Sequence, residues 1–196
     1  MTIDDRAIAR VPPALAAIRR DTDAIGFTMG SEAKTGSLLR TLAATKPAGR
    51  VLEIGTGTGI GTAWLLAGLD AAARLDSIDS DASVQAIARL HLGADTRVTF
   101  HHADGGAFLA ASAPDSFDLI FADAWAGKFT DLDLTLGLLR KGGVYVIDDL
   151  LPQPNWPPGH APRVPALIDE LERREEFTTT KLEWASGLML VVRSSN

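Results

Sequence analysis

Apolar residues in this chain fall in short runs of strand length, and longer stretches of helical period separate them. Such alternation demands crossover connections and therefore a parallel sheet. The pattern predicts strands at Arg50–Ile54, 75–78, 98–101, Phe117–Ala122 and 143–147. Two further strands, at 178–184 and 188–192, flank Ala185-Ser186-Gly187, a short turn of the kind that joins antiparallel neighbours. Helices are predicted at 61–68, 80–92, Gly105–Ala111, 132–139 and 165–175, with two more near 12–20 and 31–45 ahead of the first strand. The expected architecture is α/β: a seven-stranded, mostly parallel sheet with an antiparallel C-terminal hairpin strand and helices on both faces.

The chain has 196 residues, the usual size of one α/β domain, with residues 1–49 as a helical segment leading into it. Hydrophobic residues at 46% and charged residues at 22% match compact globular proteins and exclude a disordered chain. No repeat of solenoid length is present. The one biased stretch holds Pro152, Pro154, Pro157, Pro158, Pro162 and Pro165 and reads as a loop.

A net charge of -6, with no long run of Lys or Arg, argues against nucleic acid as a partner. The absence of cysteine excludes disulfides and thiolate metal sites. Met1-Thr2-Ile3-Asp4-Asp5-Arg6 lacks the basic start and apolar run of a secretory leader, and no stretch approaches about 18 apolar residues. A cytoplasmic protein that does not bind membranes is the default expectation.

The sharpest motif follows the first predicted strand. Val51-Leu52-Glu53-Ile54 runs straight into Gly55-Thr56-Gly57-Thr58-Gly59-Ile60-Gly61 and then a helix. A turn this tight needs residues without a Cβ, to reach positive φ and to let a ligand approach the main chain. Alone, such a turn is weak evidence; between a strand and a helix it indicates a nucleotide-type cofactor. Asp79 ends the next strand about 20 residues later, where a carboxylate can accept the hydrogen bonds of a ribose diol. That suits NAD and S-adenosylmethionine alike. Glu53 separates them, because an acid beside the cofactor favours a cationic sulfonium and amino group over a pyrophosphate. The glycines fall at every second position, unlike the dinucleotide fingerprint, and no Lys-Ser or Lys-Thr follows to make a P-loop.

The E-x-G-x-G-x-G turn with an acid ending the second strand resembles the class I S-adenosylmethionine-dependent methyltransferases, whose fold is Rossmann-like. The resemblance runs from about Arg50 onward. It implies cofactor contacts at Glu53, Gly55, Thr56, Gly57, Gly59 and Asp79, and at Asp104 beside the adenine. Asp104 also reads as the N-cap of the helix that follows.

The segment Thr28-Met29-Gly30-Ser31-Glu32-Ala33-Lys34 resembles that of the small O-methyltransferases acting on catechols and caffeoyl-coenzyme A, where it folds over the cofactor. This implies contacts at Thr28 and Ser31; the plain alternative is that Ser31 caps a helix.

Asp123 ends the fourth strand, and Asp148 and Asp149 end the fifth, so all three should emerge at the ligand-binding edge of the sheet. Close carboxylates repel, and a raised pKa or a bound cation relieves this. Hard oxygen ligands suit Mg²⁺, Mn²⁺ or Ca²⁺. The catechol-type resemblance implies a metal at Asp123, Asp148 and Asp149, with Asp149 standing where the family has Asn. Asp123 also reads as a cofactor- or substrate-orienting residue.

The family's lysine, three residues after the strand-four Asp, is replaced here by Ala126. Lys128, two residues further on, is the candidate catalytic base if its loop bends inward, and otherwise a surface lysine. Trp125 reads as a cofactor neighbour or as plain packing. His160, in the proline-rich loop, is the histidine best placed to meet a substrate, with simple exposure as the alternative.

The expected reaction is transfer of a methyl group to a hydroxyl of a small molecule, with a metal-chelating catechol-like acceptor as the family implies, by a protein that the family resemblance makes a homodimer. An NAD-linked oxidoreductase and a non-catalytic cofactor-binding module are the rivals. Against the first, no Tyr-x-x-x-Lys pair is present, and the one tyrosine, Tyr145, lies inside a strand.

Overall fold

The computed structural model describes residues 4, 5 and 7–194. Met1, Thr2, Ile3 and Arg6 lie outside them, so the expectation drawn from the N-terminal residues falls largely outside the described chain.

Two helices, α1 (Leu15–Ala24) and α2 (Ala33–Ala44), precede β1 (Arg50–Ile54). There follow α3 (Ile60–Gly68), β2 (Arg74–Asp79), α4 (Ala82–Leu92), β3 (Val98–His102), α5 (Gly105–Ala111), β4 (Phe117–Ala122), α6 (Leu132–Leu138) and β5 (Leu139–Ile147). The chain closes with α7 (Arg163–Glu172), β6 (Phe177–Leu182) and β7 (Leu188–Arg193). The sheet order is β3-β2-β1-β4-β5-β7-β6. The first five strands run parallel, and β7 inserts antiparallel between β5 and β6. The expected fold class therefore holds.

Alternation along the strands builds two cores. Val51, Leu75, Leu119 and Val146 meet Leu15, Ile18, Leu39, Trp64 and Leu65 on the face carrying α1, α2 and α3. Leu52, Ile54, Ile120, Tyr145 and Ile147 meet Leu109, Leu136, Leu167 and Leu171, on the face carrying α5, α6 and α7. The period of two assigns Glu53 to the first face, among apolar neighbours.

A strand boundary differs at β5, expected at 143–147 but beginning at Leu139. Leu139 pairs with Phe117 across a register shift, and the polar Arg140-Lys141-Gly142 between them conceals the strand's start. Helix α4 starts at Ala82 because Asp81 caps it, its carboxylate accepting from the amides of Ser83 and Val84.

Helices α2 and α3 touch through Gly36, where an added Cβ would lie 2.2 Å from the Trp64 ring. Trp64 is fully buried and cannot retreat. Gly36→Ala is expected to lower stability by about 1–3 kcal/mol or more, read as a fall in denaturation midpoint. An unchanged midpoint would refute this packing.

Candidate active site

The carboxyl ends of β2, β1, β4 and β5 lie along one edge, and the strand order reverses between β1 and β4. Such a switch point opens a crevice for ligands. There, Gly55 has φ 98°, and a Cβ on it would stand 2.8 Å from the Asp123 carbonyl, so only glycine fits between the two strand ends. The amides of Gly55 and Thr56 both donate to the Ile78 carbonyl, at 2.9 and 3.0 Å, pinning the turn to β2. The Gly57 amide donates to Asp79 Oδ2 at 2.7 Å, while Asp79 Oδ1 accepts from the Asp81 amide at 2.9 Å.

A cavity of about 610 Å³ runs over this edge, with Gly55, Gly57, Asp79, Asp104, Asp123 and Lys128 among its walls. That volume suits a cofactor of nucleoside size. Asp104 lines the cavity and caps α5, accepting from the Ala107 amide at 2.9 Å, as its N-cap reading expected. Thr56 contributes main chain only. Its hydroxyl turns inward to Ser77 at 2.7 Å and accepts from Gln85 Nε2 at 3.1 Å. Gly59 starts α3 in a left-handed conformation, with no room for a Cβ against Ala88, and shapes the turn from behind.

Glu53 sits one layer beneath the cavity wall and is fully buried. Its Oε2 accepts from Thr62 at 2.5 Å and Ser77 at 2.6 Å, while Oε1 has no partner. Burial raises its pKa to about 7, against the pull of those two hydroxyls, and the Asp79 charge adds to the rise. Above it lies Gly61, where a Cβ would come within 2.5 Å of Glu53 Oε1 and 3.5 Å of Ser31 Oγ. The missing side chain leaves a gap between an orphaned carboxylate oxygen and a serine hydroxyl. Thr62 and Ser77 were not singled out from sequence. Ser77 was findable, since strand register sets it beside Glu53; the Thr62 contact depends on how α3 settles.

Ser31 does not cap α2. The N-cap is Glu32, which makes no side-chain cap, and Ser31 Oγ instead donates to Asp123 Oδ2 at 3.1 Å. A second cavity of about 480 Å³ begins there, with Ser31, Asp123 and Asp149 in the walls of both. Thr28 reaches only this second cavity, and its carbonyl accepts from Asn155 Nδ2 at 2.9 Å, tying the N-terminal segment to the proline-rich loop.

Asp148 also reaches only the second cavity. Its Oδ1 accepts from the Ser186 hydroxyl and from the Asp149 amide. Burial, above the opposing Ser186 hydrogen bond, raises its pKa to about 6. Asp123 is raised well above the ordinary carboxylate range, first by loss of water and then by the Asp148 charge; Lys128 opposes this and Asp149 adds to it. Among the described residues, no three His, Asp or Glu side chains gather closely enough to hold an ion. The residues as placed therefore do not form a metal shell, and Asp148 Oδ1 carries both the Ser186 and the Asp149 amide bonds.

Lys128 is not a surface residue. It is 2% exposed, its Nζ donates to the Asp148 carbonyl at 3.0 Å, and it lines the main cavity. Gly127, at φ 80°, turns the loop inward.

His160 is likewise buried, against the alternative of simple exposure, and it lines the main cavity. It stacks on Trp156 at 4.3 Å, meets Phe129 edge-on at 4.8 Å, and places Nε2 2.9 Å from the Asp149 carbonyl. Trp125 lines the cavity and packs edge-on against Phe129. His101 pairs with Asp76 and His91 with Asp21, both away from the two cavities.

Residues 52–150 match the family model of a methyltransferase domain. The chain belongs to the methyltransferase family. This methyltransferase is 31% identical over 152 residues to the catechol O-methyltransferase of Mycobacterium tuberculosis, a match that covers 75% of this chain and 69% of that enzyme. A second relative, from Mycobacterium ulcerans, is 34% identical over 118 residues, and the match spans 57% of this chain and about half, 52%, of that protein. Among solved structures, the O-methyltransferase TomG of Streptomyces achromogenes, which takes part in tomaymycin synthesis and was solved with S-adenosylmethionine, superposes with a TM-score of 0.82. It is 25% identical, with 97% of this chain and 94% of that one covered. These likenesses bear out the expected class, an S-adenosylmethionine-dependent O-methyltransferase on a Rossmann-like sheet. Among the described residues no helix is long and apolar enough to cross a membrane.

Proposed function

We propose that this chain moves the methyl group of S-adenosylmethionine to a hydroxyl oxygen of a small molecule lodged in the second cavity. One observation carries the reading: the orphaned Glu53 Oε1 beneath the Gly61 gap, beside the Ser31 and Asp123 pair that both cavities share. A buried, half-satisfied carboxylate at the end of a nucleoside-sized cavity calls for a cationic ligand group.

The cofactor supplies a methyl group on a positively charged sulfur, which leaves as a neutral thioether. The protein's work is to hold and orient. Asp79 accepts the ribose hydroxyls and Asp104 borders the adenine. Glu53 and Ser31 receive the amino-acid end, with the Thr28 segment closing over it. Asp123, at the junction, takes the acceptor's hydroxyl proton on its carboxylate as the oxygen lone pair forms the new bond to the methyl carbon. Its raised pKa makes it a stronger base than an ordinary carboxylate. The Lys128 ammonium stabilises the negative charge developing on that oxygen. No step is routed through a metal, since Asp123, Asp148 and Asp149 do not form a ligand shell. A homodimer working in the cytoplasm is part of the same proposal, and sedimentation reads the dimer directly.

Calorimetric titration tests the cofactor. S-adenosylmethionine and S-adenosylhomocysteine are expected to bind in EDTA, and NAD is not. Tight NAD binding with no response to S-adenosylhomocysteine would sink the reading in favour of an oxidoreductase.

A further inference from the structure

On the proposed methyl-transfer reading, we infer that Gln85 is a positioning residue for the cofactor's amino-acid end, acting through Thr56 and Ser77 on Glu53. Helix α4 buries a stripe of Gln85, Ala88 and Leu92. A glutamine in that stripe must satisfy its whole amide inside the protein.

Its Oε1 accepts from Arg89 Nε and Nη2 at 3.0 and 2.8 Å, and a guanidinium only donates. Its Nε2 donates to the His101 carbonyl at 3.0 Å, which only accepts, and to Thr56 Oγ1 at 3.1 Å. The amide can therefore lie one way only. From there the order of protons is forced. Ser77 spends its one proton on Glu53 Oε2 at 2.6 Å, so in the 2.7 Å contact between the two hydroxyls Thr56 is the donor. Every proton in the chain points toward Glu53, from Gln85 to Thr56, from Thr56 to Ser77 and from Ser77 to the carboxylate.

Thr56, Ser77 and Gln85 are all buried, so little water screens these dipoles and each bond polarises the next. Arg89 is exposed and its charge is largely screened; its part is to hold the amide's orientation. The chain matters because Glu53 has little else to favour its charge. Helix α3 packs on it through Gly61 and Thr62 and carries no charged residue, while Asp79 on β2 repels it. A carboxylate kept charged there, with Oε1 open beneath the Gly61 gap, attracts an ammonium.

The test is calorimetry at pH 8 with two ligands, S-adenosylhomocysteine and 5′-methylthioadenosine. The second keeps the adenosine and the thioether and lacks the amino-acid end. Gln85→Met is expected to weaken S-adenosylhomocysteine about threefold and to leave 5′-methylthioadenosine within about 1.5-fold of the parent value. Thr56→Val breaks the same chain at its middle link and should give the same split, and Thr56→Ser should restore the parent affinity. If Gln85→Met fails to fold, the Thr56 pair decides the question alone. Equal weakening of both ligands overturns the inference and makes Gln85 a structural prop of the turn. So does an unchanged affinity for S-adenosylhomocysteine, or a Thr56→Ser protein as weak as Thr56→Val. Failure of the parent to bind S-adenosylhomocysteine is a different result, and it removes the methyl-transfer reading itself.

Discussion

Replacing Lys128 by Met is expected to lower kcat for methyl transfer by about 10²–10³ while leaving the Kd for S-adenosylhomocysteine within about threefold. The ammonium lies in the cavity wall next to the Asp123 and Asp149 carboxyls, held by the Asp148 carbonyl, and almost no water reaches it. A fixed charge in that setting favours an oxygen that becomes negative as its proton departs. Methionine keeps the volume of the stem, so packing against Phe129 persists and only the charge is lost. The ammonium also offsets the desolvated Asp123 and Asp148 carboxyls, so the variant leaves them without a counter-charge and its melting temperature should fall. Single-turnover methylation with saturating cofactor reads the chemical step. A variant that transfers methyl groups within threefold of the parent would show Lys128 to be a structural tie for the Asp148 carbonyl and nothing more.

Local signals made the fold and the cofactor edge legible. Strand runs and helical periods are short-range, and the glycine turn, Asp79 and Asp104 sit at fixed offsets from strand ends, so their place on the cavity followed from spacing. Residues whose role depends on which way a side chain turns did not. Glu53 was read as a cofactor neighbour and lies a layer deeper, because strand alternation points it under α3. Sequence left Lys128 between a base and a surface lysine, and His160 between meeting a substrate and simple exposure. Gly127 turns one loop inward and the Trp156 stack folds the other down. The pairing of Asp148 with Ser186 joins residues 38 apart through the β6–β7 turn, whose carbonyls also accept from the Leu150 and Leu151 amides. No local pattern encodes that contact, which holds Asp148 Oδ1.

Glu53→Gln is expected to stabilise the ligand-free protein above pH 7 and to remove a pH dependence from cofactor binding. Burial raises the Glu53 pKa from 4.5 to about 7 in the folded chain. Between those values the folded state holds a proton that the unfolded chain has lost. Stability therefore falls as pH rises through this window, and the full penalty, about 3 kcal/mol, is present above it. Glutamine carries no charge to bury, so its melting temperature should exceed the parent's at pH 8, by about 2–4 °C per kcal/mol for a chain of this size, and match it near pH 4.5. A cationic ligand group beside Oε1 reverses the preference and favours the ionised carboxylate. At pH 6, binding of S-adenosylhomocysteine should then release a proton, visible as a calorimetric enthalpy that changes with the buffer's own ionisation enthalpy. Affinity should tighten as pH rises through 7. In Glu53→Gln that proton release disappears, and affinity at pH 8 drops about tenfold. Comparison with the variant cancels the ligand's own ionisation. Parent and variant with the same melting temperatures and the same proton release at every pH would mean that Glu53 does not change charge in this range and does not sense the cofactor through the Gly61 gap.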